Sequence, residues 1–225
     1  MPVTRAVLMA NARDVGQMTG SSQWSDAIVR TWLGLEHRAA YRRILNANNE
    51  YRMAQVVVTE DVNGQFVKTL MDTGTGDTAM THYRILSLSD SQQMFYRQTR
   101  YQDFPNPTNP ALLAYVWYEF GLSIQVFPAV SGNTLTATVN AMPVRADLLA
   151  SDASLVDFPD DYESALAWGT AAYLAKKGGN ETDASREYRA VADAIYEDML
   201  NDIRRAGKDP TRMRAMDDPA QWGSV

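Results

Sequence analysis

Apolar residues recur at helical spacing between residues 23 and 50, and this pattern predicts a long first helix. The residues expected near one, mostly apolar, face are Trp24, Ile28, Trp32, Leu35, Ala39 and Arg42, and Ala40, Ile44 and Leu45 extend this face. The run HRAAYRRIL, residues 37–45, also gives this helix several basic positions. A basic helix can bind phosphate, but the pattern favours a solvated face paired with neighbouring acidic residues.

From residue 51 the apolar period changes to two, which is typical of β-strands. Strands are predicted over residues 53–59, 66–70, 83–88, 93–101, 115–127 and 134–139. Asn63-Gly64 lies between the first two strands and favours a tight hairpin turn, because both residues tolerate positive φ. Residues 102–110 contain three prolines, which excludes them from the interior of a sheet.

Residues 158–206 predict two helices joined as a hairpin. Pro159 suits the first helical position, and the first turn is acidic, which complements the positive end of the helix dipole. Those acids are Asp160, Asp161 and Glu163. Gly178 and Gly179 favour the end of this helix, and Asn180 or Thr182 can cap the second one. The second helix carries an apolar stripe of Tyr188, Val191, Ala192, Ile195, Met199 and Ile203.

The order of the elements predicts an α+β fold, because helices and strands are segregated along the chain. We expect the long N-terminal helix to pack with the C-terminal hairpin as a helical bundle, with the strands inserted between them. The segments are 1–52, helical; 53–142, β-rich; 143–206, the hairpin; and 207–225, an extended tail. At 225 residues, the chain is long enough for one large domain or two small ones.

Acidic residues concentrate in the C-terminal third of the chain. Residues 151–225 carry 9 Lys/Arg and 15 Asp/Glu, and the whole chain has a net charge of −6. A protein that grips DNA usually presents a clustered basic face instead. A solvated acidic helix face is the simpler interpretation. The functional interpretation is a surface that lets DNA pass without binding it.

Few residues are available for catalysis or for holding a cofactor. The chain has no cysteine, which excludes disulfides and thiolate metal sites and fits assembly in a reducing cytoplasm. His37 and His82, its two histidines, lack the paired spacing of a zinc site. Gly74-Thr75-Gly76 lacks the third glycine of a dinucleotide site, so we predict neither a cofactor nor a metal. No apolar run approaches the ~20 residues of a membrane helix, and the first residues do not predict a signal peptide.

Prolines and apolar residues between residues 83 and 205 form a pattern that carries a family resemblance. A strand ends at Phe127-Pro128, and the segment from Pro143 to Leu149 follows the next strand. The helix after it contains Pro159, Tyr162, Leu166, Gly169 and Leu174. This pattern resembles the head–tail adaptor (connector) proteins of tailed bacteriophages, including those called tail tubular protein A.

The resemblance implies a structural virion protein of the neck that is assembled in the host cytoplasm. Such a subunit joins a homo-oligomeric ring, of about twelve copies in this family, through heterologous contacts that close by rotation. The ring binds beneath the portal protein, contacts a tail or nozzle protein below, and forms part of the channel for DNA packaging, retention and ejection. The resemblance implies that DNA passes through this channel without sequence-specific binding, and we expect no membrane contact. The scarcity of catalytic motifs predicts that the protein is not an enzyme.

The last residues, 207–225, contain two prolines and mixed charge, which argues against a regular element. They nevertheless retain apolar residues that a frayed tail does not need, and a Trp between small polar residues is a good anchor for a partner's pocket. In the resembled family the tail reaches the portal ring. The predicted portal-docking residues are Arg212, Met213, Arg214, Met216 and Trp222.

Two alternative functions stay open. One is a virion-associated, muramidase-like cell-wall hydrolase, for which Asp160, Asp161 and Glu163 offer carboxylates. Glycosidases need two carboxylates at a set separation across a cleft, and acids in one first turn are more typical of dipole partners. The other alternative is a different neck or tail-completion protein of the virion.

Overall fold

The computed structural model describes residues 3–16, 24–48, 51–60, 66–72, 74–90, 92, 94–99, 115–127, 134–159, 161–177 and 182–206. Over these residues the chain forms four α-helices, α1 (Arg5–Val15), α2 (Asp26–Ala47), α3 (Glu163–Lys177) and α4 (Thr182–Ala206). It also forms seven strands, β1 (Met53–Thr59), β2 (Phe66–Val67), β3 (Met80–Asp90), β4 (Phe95–Gln98), β5 (Val116–Phe120), β6 (Ser123–Phe127) and β7 (Thr134–Pro143). The predicted α+β class is confirmed.

The chain divides into two compact units. The helical unit consists of residues 1–51 and 143–225 and contains α1 to α4. The strand unit consists of residues 52–142 and contains the seven strands up to Met142.

In the helical unit, α3 and α4 pack against each other, α1 and α2 both pack on α3, and α2 also contacts α4. Side chains without solvent exposure fill these contacts, among them Leu8, Val29, Leu33, Ile44, Leu166, Leu174, Ala192, Tyr196 and Met199. α3 adds buried alanines, which let its neighbours approach closely: Ala165, Ala167, Ala171, Ala172 and Ala175. Full burial of one large aliphatic side chain stabilises by about 1.5–3 kcal/mol, so this interior holds the four helices together.

The helix predicted between residues 23 and 50 is confirmed as α2, but its predicted apolar face is wrong in part. The buried positions are Val29, Leu33, Gly34, Glu36, His37, Ala40, Tyr41, Ile44 and Leu45. Leu35 is 39% exposed and Trp32 is only half-buried. The difference arises because Glu36 and His37 belong to the buried face, where a pattern of apolar residues does not anticipate them.

The helical hairpin is confirmed as α3 and α4, but its first helix starts later than the sequence predicts. α3 begins at Glu163, so Pro159 is not its first residue. The Tyr162 N–H donates to the Pro159 carbonyl at 3.3 Å, and Asp161 has a φ of 71°. A tight turn therefore separates Pro159 from the helix, and Glu163 alone among the described acids of this segment lies in the first turn of α3.

The apolar stripe of α4 is confirmed at Ala192, Met199 and Ile203, which are buried, and Tyr196 and Leu200 extend it. The other predicted stripe residues, Tyr188, Val191 and Ile195, are half-buried. The predicted helix-ending and capping residues Gly178, Gly179 and Asn180 lie outside the described residues.

The strand unit is built on one sheet with the strand order β1-β7-β3-β4-β5-β6-β2. β1 pairs antiparallel with β7, from Met53 opposite Asn140 to Thr59 opposite Thr134. β4 and β5 form a parallel pair. Because the end strands β1 and β2 also contact each other, the sheet is nearly closed.

One prediction about strand connections is wrong, and another stays a prediction. Over the described residues β1 pairs with β7 and β2 with β6, while β1 and β2 also contact each other; Asn63 and Gly64 lie outside the described residues, so the turn predicted there is not tested. The segment 115–127 is a hairpin of β5 and β6 instead of one strand. Its loop begins at Gly121, whose φ of 59° is the conformation that the first central residue of a type II′ turn requires.

Alternation along the strands places one of their faces in the core of the unit. On β1, Val56 and Val58 are buried while Val57 is 67% exposed. The buried cluster consists of Val56, Val58, Phe66, Met71, Ile85, Leu88, Tyr96, Trp117, Ile124, Leu135, Ala137 and Val139. Trp117 is the largest of these side chains and is 1% exposed.

Candidate partner-binding surface

The structure does not describe the residues that the sequence predicts for docking. Arg212, Met213, Arg214, Met216 and Trp222 all lie outside the described residues, so their docking role stays a prediction. The site must therefore be sought on the helical unit, where charged and aromatic side chains of α2, α3 and α4 come together.

A buried carboxylate lies at the centre of this cluster. Glu36 of α2 is 1% exposed, and Arg189 Nη1 of α4 donates to its two oxygens at 2.8 and 2.9 Å. The Tyr196 hydroxyl of α4 donates to Glu36 Oε1 at 2.8 Å. Since a buried carboxylate is costly unless it is paired and hydrogen-bonded, these contacts fix α4 against α2 at one position.

Further charged groups surround this pair. Arg43 Nη1 donates to Asp193 Oδ1 at 2.8 Å, and the Arg43 guanidinium lies 5.0 Å from the centre of the Tyr196 ring. Burial, together with the negative charge of Glu36, raises the pKa of the Tyr196 hydroxyl well above its usual value. Burial alone would lower the pKa of Arg189, but the hydrogen bonds and charge of Glu36 raise it above its usual value.

Gly169 of α3 makes room for this carboxylate. A Cβ atom at this position would lie 2.4 Å from Glu36 Oε1 and 2.5 Å from its Cδ. The absence of a side chain therefore allows the backbone of α3 to approach the Glu36 side chain closely. Gly169, which belongs to the proline and apolar pattern of the family resemblance, thereby acquires a physical role.

Next to the buried pair, α3 and α4 form an open groove of about 380 Å³. Its lining residues are Ala172, Tyr173, Lys176, Ser185, Arg186 and Arg189. The Tyr173 ring stacks on Trp32 of α2, with ring centres 4.8 Å apart and planes 18° apart. Lys177 Nζ lies 5.6 Å from the centre of the Trp32 ring. The groove therefore combines an aromatic wall with positive charge.

At the opposite end of the hairpin, a tyrosine contacts a carboxylate. The Tyr162 hydroxyl, just before α3, donates to Asp202 Oδ2 near the end of α4 at 2.5 Å. This hydrogen bond, followed by partial burial and the charges of Asp202, Asp198 and Asp161, raises the pKa of Tyr162 to about 12. The start of α3 and the end of α4 are thus joined by a hydrogen bond to a carboxylate.

The two histidines serve different local contacts. His37 is buried, its Nε2 lies 2.8 Å from the Asp157 carbonyl, and its ring packs edge-on against Tyr41. His82 pairs with Asp72 in the strand unit, with Nδ1 and Oδ1 2.8 Å apart. Each histidine therefore has a local structural partner.

The acids considered for hydrolase chemistry are separated by their surroundings. Asp161 is exposed, Glu163 is buried and Asp160 lies outside the described residues. Within the described ranges, no group of three or more histidines, aspartates or glutamates is arranged to hold a metal ion. Over the same part of the chain, no helix is both long and apolar enough to cross a membrane.

The described ionic and aromatic groups of this surface join α2, α3 and α4 to one another. The sequence matches the SU10 adaptor protein family over residues 4–220. Because the match covers nearly the whole chain, the protein belongs to the SU10 adaptor protein family. A comparison with curated proteins found no match. Family membership supports the predicted phage head–tail adaptor, and it implies a structural component of the virion.

Sequence reasoning missed the residues that build this surface. Glu36 and Arg189 are separated by 153 positions, so no local motif joins them. One signal was available, since Glu36 interrupts the periodic positions Val29, Leu33 and Ala40 of the buried α2 face. A charged residue that falls on the buried face of a helix indicates that its partner lies elsewhere in the chain.

Proposed function

We propose that this protein is a subunit of the head–tail adaptor ring of a tailed phage, located in the virion neck between the portal and the tail. The observation that carries this proposal is the match to an adaptor family over residues 4–220. In this role the ring binds beneath the portal and contacts a tail or nozzle protein. It also forms part of the channel through which DNA is packaged, retained and ejected.

In this proposal the helical unit is the bundle that forms the body of each subunit, and the strand unit is an insertion in it. The long-range pair of Glu36 and Arg189 supports this role, because it locks segments from both ends of the chain into one unit. A ring subunit needs a fixed shape to form the same contacts with each of its neighbours. The narrower likeness to tail tubular protein A belongs to the same proposal.

Ring formation is the experiment that tests the proposal most directly. The purified protein alone is expected to be monomeric, and mixing with its portal is expected to give a closed ring of about twelve subunits. Negative-stain images and mass photometry of the mixture distinguish these states. A mixture that contains only one-to-one or dimeric complexes would contradict the proposal.

The C-terminal tail supplies the portal contact in this proposal. Arg212 and Arg214 make charge-assisted contacts with acidic groups, while Met213, Met216 and Trp222 supply apolar anchors. Truncating such an anchor typically costs about 2 kcal/mol or more of binding. Deletion of residues 207–225 should keep the helical circular dichroism spectrum yet abolish attachment to portal-containing capsids. Equal attachment of the truncated and full chains would exclude the tail as the docking element.

The hydrolase alternative is not favoured by adaptor family membership. A zymogram on peptidoglycan tests it directly, and we expect no clearing. Clearing that disappears in the Glu163→Gln variant would reinstate the alternative.

A further inference from the structure

The groove between α3 and α4 has a charge that contrasts with the rest of the C-terminal third. Lys176 and Arg186 line it, and Lys177 follows directly at the end of α3. Arg189 also lines it, but its charge is taken by Glu36. Asp183 offsets part of the remaining positive charge through a 3.4 Å contact with Arg186, in which both side chains are largely exposed. The charged side chains that line the groove are therefore all cations, and they lie beside Tyr173.

The last ten residues of the chain have the complementary chemistry. Between Met216 and Val225, the charged side chains are Asp217 and Asp218 alone. Trp222 follows four residues after Asp218 and is the largest apolar side chain of the segment. Two carboxylates followed by an aromatic ring match a groove that offers cations beside an apolar wall.

The segment is long enough to reach the groove within its own subunit. With the rise of an α-helix, the distance along α4 from Arg186 to Ala206 is about 30 Å. The chain from Ala206 to Asp217 spans up to about 36 Å when it is extended. The carboxylates can therefore return along α4 to the groove without any change in the helices.

We propose that the α3–α4 groove is the docking site for the acidic segment 217–222 of the same subunit. Asp217 and Asp218 pair with Lys176 and Arg186, and Trp222 packs on the apolar wall at Ala172 and Tyr173. Docking keeps Trp222 covered until another binding site competes for it. The inference concerns the free subunit, so it goes beyond the adaptor role and does not require a portal.

Disulfide trapping in the full-length protein tests this docking, because the natural chain has no cysteine that would interfere. The test variant carries Ser185→Cys in the groove and Ala220→Cys in the segment. The matched control carries Ser164→Cys, an exposed position in the first turn of α3, with the same Ala220→Cys. The start of α3 lies near the end of α4, as the Tyr162–Asp202 hydrogen bond shows, so the control cysteine is closer to the root of the tail.

Docking predicts faster trapping at the more distant cysteine. Under mild oxidation at low salt, we expect the Ser185→Cys variant to form an intramolecular disulfide about tenfold faster than the control, because docking raises the local concentration of the two thiols. Non-reducing gels and mass spectrometry of the linked peptides give the rates, and circular dichroism melts confirm that both variants fold. Equal rates, or faster trapping at Ser164→Cys, would overturn the proposal, as would a disulfide between two subunits.

Charge reversal tests whether the cations of the groove cause the faster trapping of the Ser185→Cys variant. Lys176→Glu with Arg186→Glu, added to the trapping variant, should reduce its rate to that of the control. Arg204→Glu with Arg205→Glu reverses two exposed cations at the other end of α4 and should leave the rate unchanged. If the two double variants behave alike, the groove does not recognise the acidic segment.

Discussion

The helical unit and the strand unit bury charge in different ways. In the strand unit, the buried carboxylate of Asp90 accepts from the N–H groups of Gln92 and Met94, both at 2.9 Å. Its partners are thus within four positions along the chain. In the helical unit, Glu36 is neutralised by Arg189, 153 positions away. The first arrangement stabilises a turn, whereas the second determines which helices meet.

A second long-range cation repeats this pattern in the helical unit. Arg5 is 2% exposed, and its Nη1 donates to the carbonyls of Ala146 and Leu149 at 3.1 and 2.8 Å. Its Nε donates to Asp152 at 2.7 Å. Because these partners follow the strand unit in sequence, Arg5 and Glu36 both join the chain before the strand unit to the chain after it. Long-range ionic contacts therefore join the two segments of the helical unit in addition to its apolar interior.

The largest effect that tests this contrast is expected in the core of the strand unit. Trp117→Ala removes a side chain that is 1% exposed and leaves a cavity, so it should lower the free energy of unfolding by about 4 kcal/mol. Phe120→Ala on the same strand is the matched control, since Phe120 is 65% exposed and its loss should cost less than about 0.5 kcal/mol. Urea denaturation measures both. Similar losses would mean that apolar burial does not dominate this unit.

The counterpart in the helical unit removes a charge instead of apolar volume. Arg189→Ala leaves Glu36 buried without its cation and should cost about 3 kcal/mol. Arg186→Ala, on an exposed position of the same helix, should change stability by less than about 0.5 kcal/mol. Adding Glu36→Gln to Arg189→Ala should recover part of the loss, because a neutral amide needs no counter-ion. No recovery would show that Arg189 acts through its packing.

The contrast also explains what the sequence could predict. The strand Met53–Thr59 is predicted with its observed bounds, and the stripe of α4 is confirmed at Ala192, Met199 and Ile203. Both signals are periodic and local. Strand pairing depends on partners far along the chain, so no local signal predicts that β1 pairs with β7.

The candidate surface was less predictable than the fold for the same reason. Trp32 was assigned to the apolar face of α2, yet it is half-buried and stacks on Tyr173 of α3. Its apolar character was recognised, but its partner comes from a helix that begins more than a hundred residues later. Arg189, the ionic partner of Glu36, is also far away in the sequence, so no local pattern predicts their contact. The predicted docking residues, such as Trp222, stay untested because they lie outside the described residues.

One glycine substitution in each unit should lower stability by a smaller amount and for a different physical reason. Gly169→Ala would place a Cβ 2.4 Å from Glu36 Oε1, and the overpacking should cost about 2 kcal/mol. Gly121→Ala meets nothing within 4 Å, but its φ of 59° should cost about 1 kcal/mol. Thermal unfolding of each variant measures the costs. In a Glu36→Ala background, Gly169→Ala should cost less stability than it does in the natural protein, because the clash of the new Cβ is relieved. The cost of Gly121→Ala should be the same in both backgrounds. If the cost of Gly169→Ala is also the same in both backgrounds, Gly169 and Glu36 are not in contact.

The last prediction concerns the second donor to the buried carboxylate, whose loss should cost less than that of Arg189. Tyr196→Phe removes one hydrogen bond to Glu36 while Arg189 remains, so it should cost about 1.5 kcal/mol at neutral pH. Burial and the charge of Glu36 raise the pKa of Tyr196 in the folded protein above the value near 10 of an unfolded chain. The stability that this proton contributes is therefore present below pH 10 and is lost as the pH rises from 10 towards the folded pKa.

The raised pKa of Tyr196 predicts how the difference in stability between the natural protein and Tyr196→Phe changes with pH. Above pH 10 the natural protein should lose stability more steeply than Tyr196→Phe, by up to about 1.4 kcal/mol per pH unit, because its folded state retains a proton that its unfolded state has released. The two stabilities should converge as the pH rises, and urea denaturation between pH 8 and about 11.5 measures the difference while titrations common to both proteins cancel. A difference that stays constant would mean that the pKa of Tyr196 is the same in the folded and unfolded states. The hydroxyl would then contribute only its neutral hydrogen bond, and the ionic character of the site would rest on Arg189 alone.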